Sequence, residues 1–342
     1  MDSSRTNRQW LLAARPGRQI RDEDFRWAIS PVPSPTEGQV LVRNLWLVPH
    51  PTAILFTSED SGALAIPIGG VMRSGAAGRI VQSRLNGFEP GDLVSGHFGW
   101  EDYTVTNGRD PSDRMMEKIP PGVPLNLALG TLGITGMAAY FGVTEVGAAR
   151  AGETFVVTSA AGGVGSIAGQ IAKIRGLRVI GITTGKERRD ALVHELGFDA
   201  AIDSQTEDVG SRLSELCPGG IDVFFDNAGR ADLLDSALTR LHERARVVLC
   251  GATSIYLASE MPPGPKNVMS IIMKRGRIEG LLAIEYADRF PEAREAMSKW
   301  LNDGQLKSFE DVVVGLENAP RAMQRVFSGA NRGKQLLKIA DE

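Results

Sequence analysis

The sequence contains few of the side chains that bind metal ions or form disulfides. Its 342 residues include only two cysteines, Cys217 and Cys250, and four histidines. A catalytic zinc site needs a set of Cys and His ligands, and a structural zinc site often uses four clustered cysteines. Neither set is present, so we predict no metal site. Cys250 lies in an apolar run and Cys217 precedes a proline, and we interpret both as structural thiols.

Long apolar runs and an excess of one charge are also absent. No apolar run approaches the roughly 18 residues expected of a membrane span. The formal net charge is −3, with both signs mixed along the chain. The first residues, MDSSR, lack the apolar core of a signal peptide. We therefore expect a cytoplasmic protein with no membrane partner and no nucleic-acid partner.

One glycine-rich stretch is the most informative part of the chain. A β-branched run over 154–158 is followed by Ala160, Gly162 and Gly165 in the spacing A-x-G-x-x-G, and then by a helical pattern. This is one substitution away from the dinucleotide-binding fingerprint. Gly162 permits close approach of a diphosphate, and Gly165 permits close packing of the helix on its sheet. We predict a dinucleotide site; the alternative is a tight strand-to-helix turn that binds no ligand.

Strands and helices alternate after about residue 125, which is typical of a doubly wound parallel sheet. Strand patterns occupy 154–158, 178–183, 200–203, 221–226 and 246–251, with a possible sixth at 277–283, and helical patterns occupy 166–175 and 187–196. We predict a Rossmann-type α/β domain over 126–304. Ligands bind at the carboxyl ends of such strands, which places Asn227, 185–189 and 251–256 on one functional edge.

The remaining segments have a different sequence pattern. Residues 1–125 are rich in Gly, Pro and short β-type runs, and 305–342 adds β-type runs near 310–314 and 336–339. Short strands with frequent turn residues favour a barrel-like β domain. We therefore predict a discontinuous second domain made of 1–125 and 305–342.

Cations follow the second predicted strand, where an NAD site would usually carry an acidic residue for the ribose hydroxyls. The segment reads Thr183-Thr184-Gly185-Lys186-Glu187-Arg188-Arg189. Lys and Arg can neutralise a 2′-phosphate, and Arg can bind it through two hydrogen bonds. The segment favours NADPH over NADH; the alternative is a solvated start of a helix.

Further motifs occur in order along almost the whole chain. They are 7–10 (NRQW), 38–44 (GQVLVRN), 130–133 (GTLG), 135–142 (TGMAAYFG), 225–229 (FDNAG), 250–252 (CGA), 261–265 (MPPGP) and 331–334 (NRGK). In these motifs the chain resembles the zinc-independent medium-chain dehydrogenase/reductases. Within that family it is most similar to the group of leukotriene B4 dehydrogenase/prostaglandin reductases, bacterial curcumin reductase and plant alkenal double-bond reductases.

The resemblance implies a GroES-like fold for the β domain, a homodimer, and hydride transfer from NADPH to the β-carbon of an α,β-unsaturated carbonyl. It places Arg188, or else Lys186 or Arg189, at the 2′-phosphate. Together with the glycine-loop argument, it gives the following cofactor-binding positions: Ala161, Gly162, Gly163, Val164, Gly165, Thr184, Gly185, Lys186, Arg188, Arg189, Ser204, Asn227, Cys250, Gly251, Ala252, Tyr256 and Asn331.

The chain departs from the family pattern at three places, one of which is Thr135, where proline is frequent. A segment similar to V-D-P-Y-M-R is replaced by Pro49-His50-Pro51-Thr52-Ala53-Ile54, which borders the substrate cleft in the resemblance. A tyrosine that commonly follows the third sheet strand is replaced by Ser204, which removes a possible cofactor contact. We therefore expect the cofactor half of the site to follow the family and the substrate half to differ from it.

Two side chains are candidates for catalysis. Hydride addition to an enone creates an enolate oxygen that needs a hydrogen-bond donor. Tyr256 follows the fifth strand on the functional edge and is our first candidate, although it could simply pack on its loop. His50 could polarise a carbonyl or donate a proton, although a surface histidine after a strand is a common structural feature.

These residues leave several functions open. The first is an NADPH-dependent reductase of activated C=C bonds, acting at the β- or vinylogous carbon, with a natural-product polyene substrate and coupled ring closure as its most specific form. The second is an NADPH-dependent quinone reductase of the same architecture. The third is a non-catalytic nucleotide-binding protein, and a metal-dependent alcohol dehydrogenase is a distant fourth.

Overall fold

The computed structural model of the chain describes residues 6–17, 19–109, 115–256, 258 and 260–342. Its β-strands, in chain order, are β1 (Thr6–Leu12), β2 (Phe25–Pro31), β3 (Val40–Val48), β4 (Arg73–Ser83), β5 (Leu93–Gly99), β6 (Tyr103–Thr106), β7 (Glu117–Lys118), β8 (Thr154–Thr158), β9 (Arg178–Thr183), β10 (Ala200–Asp203), β11 (Ile221–Asp226), β12 (Leu241–Leu249), β13 (Arg277–Gly280), β14 (Glu310–Val314) and β15 (Lys334–Lys338).

The α-helices are α1 (Leu125–Leu129), α2 (Ile134–Phe141), α3 (Gly163–Ile174), α4 (Lys186–His194), α5 (Val209–Leu216), α6 (Ala231–Leu238), α7 (Met269–Lys274), α8 (Phe290–Asn302) and α9 (Ala319–Ser328). Short 3-10 helices span Asp22–Asp24, Pro51–Thr57, Glu59–Leu64, Ala283–Arg289 and Leu316–Asn318, and a π-helical turn spans Gly142–Val146. Among the described residues, no helix is both long enough and apolar enough to cross a membrane.

Two compact units divide the chain. One contains the described residues of 6–129, 311–331 and 335–342, and the other contains the described residues of 130–310 and 332–334. We call them the β unit and the nucleotide unit. The chain leaves the β unit twice, first for residues 130–310 and again for the short segment 332–334.

The nucleotide unit contains a six-stranded parallel sheet in the order β10-β9-β8-β11-β12-β13. This is the order 3-2-1-4-5-6 of a Rossmann-type fold, and the predicted fold class is confirmed. Phe155, Val156 and Val157 in β8 are completely buried. Each such side chain contributes about 1.5–3 kcal/mol on burial, so the strand that precedes the glycine loop is among the best anchored.

The β unit is built on a mixed set of short strands, as the sequence predicts. One sheet has the order β14-β15-β3-β4-β5-β7, with β6 paired to β3, and a separate pair joins β1 and β2. Its core includes Leu45, Val48, Ala77, Leu125 and Leu336, which come from distant parts of the chain. The C-terminal strand β15 therefore completes a core that begins near residue 40.

Candidate active site

The glycine loop closely follows the shape that a diphosphate site requires. Ser159 adopts a left-handed conformation with φ of 48°, and the Gly162 N–H donates to the Ser159 carbonyl at 2.9 Å. A Cβ at Gly165 would lie 2.4 Å from the Ser159 oxygen, whereas a Cβ at Gly162 would meet only that oxygen, at 3.1 Å. The loop is thus closely packed at Gly165 and less closely packed at Gly162.

The N-terminus of α3 begins directly at this loop. Gly162 is the N-cap residue, and no side chain caps the helix there. The first N–H groups of a helix lack partners within the helix and, with the helix dipole, attract an anion. The predicted residues Ala161, Gly162, Gly163, Val164 and Gly165 therefore lie together at the start of α3, which is a suitable location for a negatively charged group.

A buried lysine also belongs to this loop, and the sequence analysis did not assign it to the site. The Gly333 N–H donates to the Ala161 carbonyl at 2.8 Å, which brings Lys334 onto the start of α3. A Cβ at Gly163 would lie 2.8 Å from Lys334 Cδ. Lys334 is 8% exposed, and burial lowers the pKa of its ammonium to about 7. The motif NRGK was recognised only as a family marker, and nothing in its spacing indicates this contact.

The predicted cations lie where β9 ends, and the structure separates them. Arg188 turns back on the strand end: its Nε donates to the Thr184 carbonyl at 2.6 Å and its Nη2 to the Thr184 hydroxyl at 2.7 Å. Burial lowers the pKa of the Arg188 guanidinium. Lys186 and Arg189 instead form ion pairs with Asp190, at 2.7 and 3.0 Å. Arg188 is therefore the cation that faces the end of the strand.

The turn after β9 is held by β10. Asp203, the last residue of β10, accepts a hydrogen bond from the Gly185 N–H at 2.8 Å and is 2% exposed. Ser204 follows it, and its N–H donates to the Thr183 carbonyl at 2.9 Å. The predicted residues Thr184, Gly185 and Ser204 therefore lie together at the carboxyl ends of β9 and β10.

A buried network fixes the loop after β11. The Thr158 hydroxyl donates to Asp226 Oδ1 at 2.7 Å and accepts from the Asn227 N–H at 2.8 Å. Asp226 Oδ1 also accepts from the N–H groups of Ala228 and Gly229. Burial raises the pKa of Asp226, against the effect of these hydrogen bonds. Thr158 and Asp226 fix the position of this loop; Asp226 lies within the motif FDNAG, but the motif alone indicates no role for either residue.

The loop after β12 packs on the same edge. A Cβ at Gly251 would lie 2.6 Å from Asn227 Oδ1, so only glycine permits this approach. The Cys250 N–H donates to the Asp226 carbonyl at 2.8 Å, and burial raises the pKa of the Cys250 thiol to about 12. This thiol remains protonated near neutral pH, in agreement with a structural role.

Tyr256 lies four residues beyond Ala252 on this loop. The Ala252 carbonyl accepts the Ile255 N–H at 2.8 Å, which forms a tight turn before Tyr256. Burial raises the pKa of the Tyr256 phenol, and a backbone hydrogen bond from Ala252 partly offsets that effect. The phenol is thus protonated near neutral pH and can act as a hydrogen-bond donor. The adjacent Leu257 lies outside the described residues.

The other two predicted positions belong to the β unit. Asn331 is its last residue before the segment 332–334. His50 follows β3 and is the N-cap of the 3-10 helix Pro51–Thr57, and it is half-buried rather than a fully exposed surface histidine. A Cβ at Gly75 would lie 3.2 Å from His50 Nε2, so Gly75 in β4 leaves room for the imidazole ring.

Metal ligation has no support in the described part of the chain, where no group of three or more His, Cys, Asp or Glu side chains could hold an ion. The sequence model of the family described as "Zinc-binding dehydrogenase" nevertheless matches residues 163–299, and the one described as "N-terminal domain of oxidoreductase" matches 8–113. The first description therefore names a family with this nucleotide-binding region and does not identify ligands in this chain.

Similar proteins cover the chain from end to end. NADPH-dependent curcumin reductase of Escherichia coli (strain K12) is 36% identical over 98% of this chain and 98% of its own length. Prostaglandin reductase 1 of Bos taurus is 32% identical over 97% of this chain and 98% of its own. The crystal structure of CurA in complex with NADPH from Vibrio vulnificus is 34% identical, with a TM-score of 0.90 over 98% of this chain and all of that one.

Identity above 30% over nearly complete chains, two family matches and the strand order of the sheet all agree with the motifs. The chain belongs to the zinc-independent medium-chain dehydrogenase/reductases, in the group that contains these curcumin and prostaglandin reductases.

Proposed function

We propose that this protein is an NADPH-dependent reductase of C=C bonds conjugated to a carbonyl group. The observation that carries the proposal is the carboxyl edge of the six-stranded sheet, where the uncapped start of α3 and Arg188 occupy the ends of β8 and β9. These groups fit the diphosphate and the 2′-phosphate of NADPH. Relatives named as NADPH-dependent reductases, and one solved with NADPH, support the same cofactor.

We propose that different residues of the chain bind different parts of the cofactor. The start of α3 binds the diphosphate, with Lys334 as a nearby cation, and Arg188 binds the 2′-phosphate. Thr158 and Asp226 fix the loop that carries Asn227, and Gly251 allows that side chain to pack closely. We propose that Asn227, Ala252 and Asn331 lie toward the nicotinamide and its ribose.

NADPH, when bound, supplies a hydride to the β-carbon of the unsaturated carbonyl. The protein must then hold the acceptor in line and stabilise the oxygen on which negative charge develops. We propose that the Tyr256 hydroxyl donates a hydrogen bond to that oxygen, because its raised pKa keeps it protonated. His50, in the β unit, is proposed to contact the substrate carbonyl or to deliver a proton.

Turnover with a panel of acceptors tests the proposal. NADPH oxidation at 340 nm with enones, alkenals and curcuminoids should exceed that with simple quinones, and the product should carry two additional hydrogens at the former double bond. Faster turnover of quinones would instead identify a quinone reductase, and no turnover with any acceptor would identify a nucleotide-binding protein. Nothing in the fold or the relatives supports ring closure, so we retain only the reduction step; NMR of the product would detect a new ring.

The 2′-phosphate assignment has its own test. Replacing Arg188 with Gln should weaken NADPH binding by about 10- to 100-fold, as expected for the loss of charge-assisted hydrogen bonds, and should leave NADH binding nearly unchanged. Lys299→Gln is the matched control, since that lysine in α8 is also exposed and paired with an aspartate four residues later, Asp303. Equal losses for both nucleotides in Arg188→Gln would contradict the assignment.

We further propose that two copies associate through β13. Strand β13 pairs with β12 on one side, and all four of its residues are exposed. An antiparallel two-fold pairing centred on Ile278 would place Arg277 opposite Glu279 of the second copy, which is electrostatically complementary. Exposed apolar side chains also occur shortly before and after β13 in the sequence: Val268, Met269, Ile272, Met273, Leu282 and Ile284.

Charge reversal tests this arrangement. In Glu279→Arg, each Arg277 faces an arginine, so light scattering should detect more monomer. The double variant Arg277→Glu, Glu279→Arg should restore the dimer. A protein that is monomeric throughout, or a dimer unaffected by either variant, would contradict the proposal.

A further inference from the structure

Arg230 is an unassigned cation at the carboxyl edge of the sheet. It follows Gly229 in the loop after β11 and is the N-cap residue of α6, with φ of −91° and ψ of 119°. Its side chain makes no capping hydrogen bond. A guanidinium has donors but no acceptor, so it cannot cap the N–H groups at the start of the helix.

The side chain of Arg230 extends toward a distant strand. Its Nη1 lies 3.5 Å from the hydroxyl oxygen of Ser204, which follows β10. In the sheet, β9 and β8 lie between β10 and β11. The Arg230 side chain therefore spans the carboxyl ends of the two strands that carry the Arg188 segment and the glycine loop. The small side chain of Ser204 leaves room for this approach.

The phosphate position that we propose beside Arg188 needs further donors. Arg188 uses two of its N–H groups on Thr184, and the buried carboxylate of Asp203 lies close enough to interact electrostatically with it. A phosphate monoester carries about −1.5 to −2 charges near pH 7. One guanidinium that is already engaged and stands near a carboxylate is weak compensation for that charge.

A phosphate can replace Asp232 as the ion-pair partner of Arg230. Its Nε and Nη2 donate to the two oxygens of Asp232, at 3.0 and 2.5 Å. The Asp232 side chain is 63% exposed, and exposed ion pairs of this kind contribute little to stability. A phosphate dianion offers the planar guanidinium a stronger pair of charge-assisted hydrogen bonds.

We propose that Arg230 is a second binding residue for the 2′-phosphate of NADPH, acting with Arg188 from the opposite side of the site. The inference rests on the proposed NADPH site. It assigns cofactor selection to two loops, those after β9 and β11, rather than to the loop after β9 alone. It also gives the chain a cation near the position where Ser204 has replaced a larger residue.

Calorimetry with small nucleotides tests this inference without any turnover. The probes are 2′,5′-ADP, which carries the 2′-phosphate, and 5′-AMP, which lacks it. Arg230→Gln should weaken binding of 2′,5′-ADP by about tenfold and leave 5′-AMP unchanged, while Arg230→Lys should retain part of the affinity. Asp232→Asn, which frees the guanidinium, should bind 2′,5′-ADP as tightly as the wild type or more tightly. Arg240→Gln is the control, since that exposed arginine precedes β12 at the opposite edge of the sheet.

The possible outcomes separate the two proposals. Equal losses for both probes would show that Arg230 stacks on the adenine, and no loss for either would remove it from the site; both results overturn the inference while the NADPH site stands. If the wild-type protein binds neither 2′,5′-ADP nor NADPH, the proposed function itself fails.

Discussion

The nucleotide unit and the β unit of this protein differ in how far their candidate functional residues can be recognised from local sequence. At the carboxyl edge of the parallel sheet, the proposed cofactor site depends on glycines and backbone N–H groups, so a short spacing such as A-x-G-x-x-G already predicts the type of ligand. In the β unit, His50 depends on the space that Gly75 leaves in a neighbouring strand. Backbone-based sites can thus be recognised from local sequence, whereas side-chain sites built across strands cannot.

The contrast predicts that the largest effects come from backbone space in the nucleotide unit. Gly165→Ala would place a Cβ 2.4 Å from the Ser159 oxygen and 2.9 Å from Ala160 Cα, both of which are backbone atoms. We expect the glycine loop to shift and NADPH affinity to fall by about 100-fold or more, or about 3 kcal/mol. Calorimetry with NADPH would measure this change.

Gly219→Ala is the matched control, because a Cβ there meets nothing within 4 Å. It should bind NADPH as the wild type does. Wild-type affinity in Gly165→Ala would show that the loop tolerates the added atom. It would contradict the proposal that backbone space at Gly165 determines the affinity for NADPH.

A smaller effect, of about tenfold, is expected at Lys334. Its ammonium has a pKa of about 7 in the folded protein, below its ordinary value of about 10.4. A diphosphate favours the charged form, so NADPH binding above pH 7 should take up a proton and should weaken as the pH rises. Calorimetry at pH 8 in buffers of different ionisation enthalpy measures that uptake, and Lys334→Met should abolish it. Unchanged uptake in Lys334→Met would exclude this lysine.

The lowered pKa of Lys334 also affects the stability of the ligand-free protein. Between about pH 7 and 10.4 the unfolded chain holds a proton on Lys334 that the folded chain does not. The contribution of this group to the free energy of unfolding therefore rises with pH across that interval. Lys334→Met should remove this rise, as measured by denaturant unfolding at pH 7 and pH 9.

Tyr256 is expected to affect the reaction by several-fold to about tenfold. Tyr256→Phe removes one hydroxyl donor, a loss of about 1–1.5 kcal/mol for a hydrogen bond to developing charge. We expect a lower kcat with an enone and an unchanged Kd for NADPH. A decrease in NADPH affinity with unchanged kcat would move Tyr256 from catalysis to cofactor binding.

The smallest effects should come from the β unit. His50→Gln should alter kcat or KM for the acceptor by a few-fold and leave NADPH binding unaffected, since we propose that it acts on the substrate alone. Gly75→Ala places a Cβ 3.2 Å from His50 Nε2 and should give a similar change by displacing the ring. If His50→Gln weakened NADPH binding instead, the division of roles between the two units would be wrong.

The sequence predicted the positions of most strands of the parallel sheet. It was less accurate about the residues at which some helices and strands begin. The patterns at 154–158, 178–183, 200–203 and 221–226 coincide with strands β8 to β11. Helix α3 begins at Gly163 rather than 166, because its N-terminal turn is made of glycines with little intrinsic helix preference. Strand β12 begins at Leu241 rather than 246, because Arg244 at φ of 58° and a shift in register interrupt the alternation.

Some contacts at the site could not be predicted from local sequence. The Thr158–Asp226 hydrogen bond joins residues 68 positions apart, and the approach of Lys334 to Gly163 joins residues separated by half the length of the chain. Arg230 reaches Ser204 only because two strands place their loops on the same edge. Such pairs depend on the order of strands in the sheet, which a motif does not encode.

The most direct test of the account follows the hydride itself. The protein is incubated with an enone and NADPH that carries deuterium on both C4 positions, and the product is analysed by NMR. The account predicts one deuterium at the former β-carbon and none at the α-carbon. Consumption of the enone without deuterium at the β-carbon would contradict it.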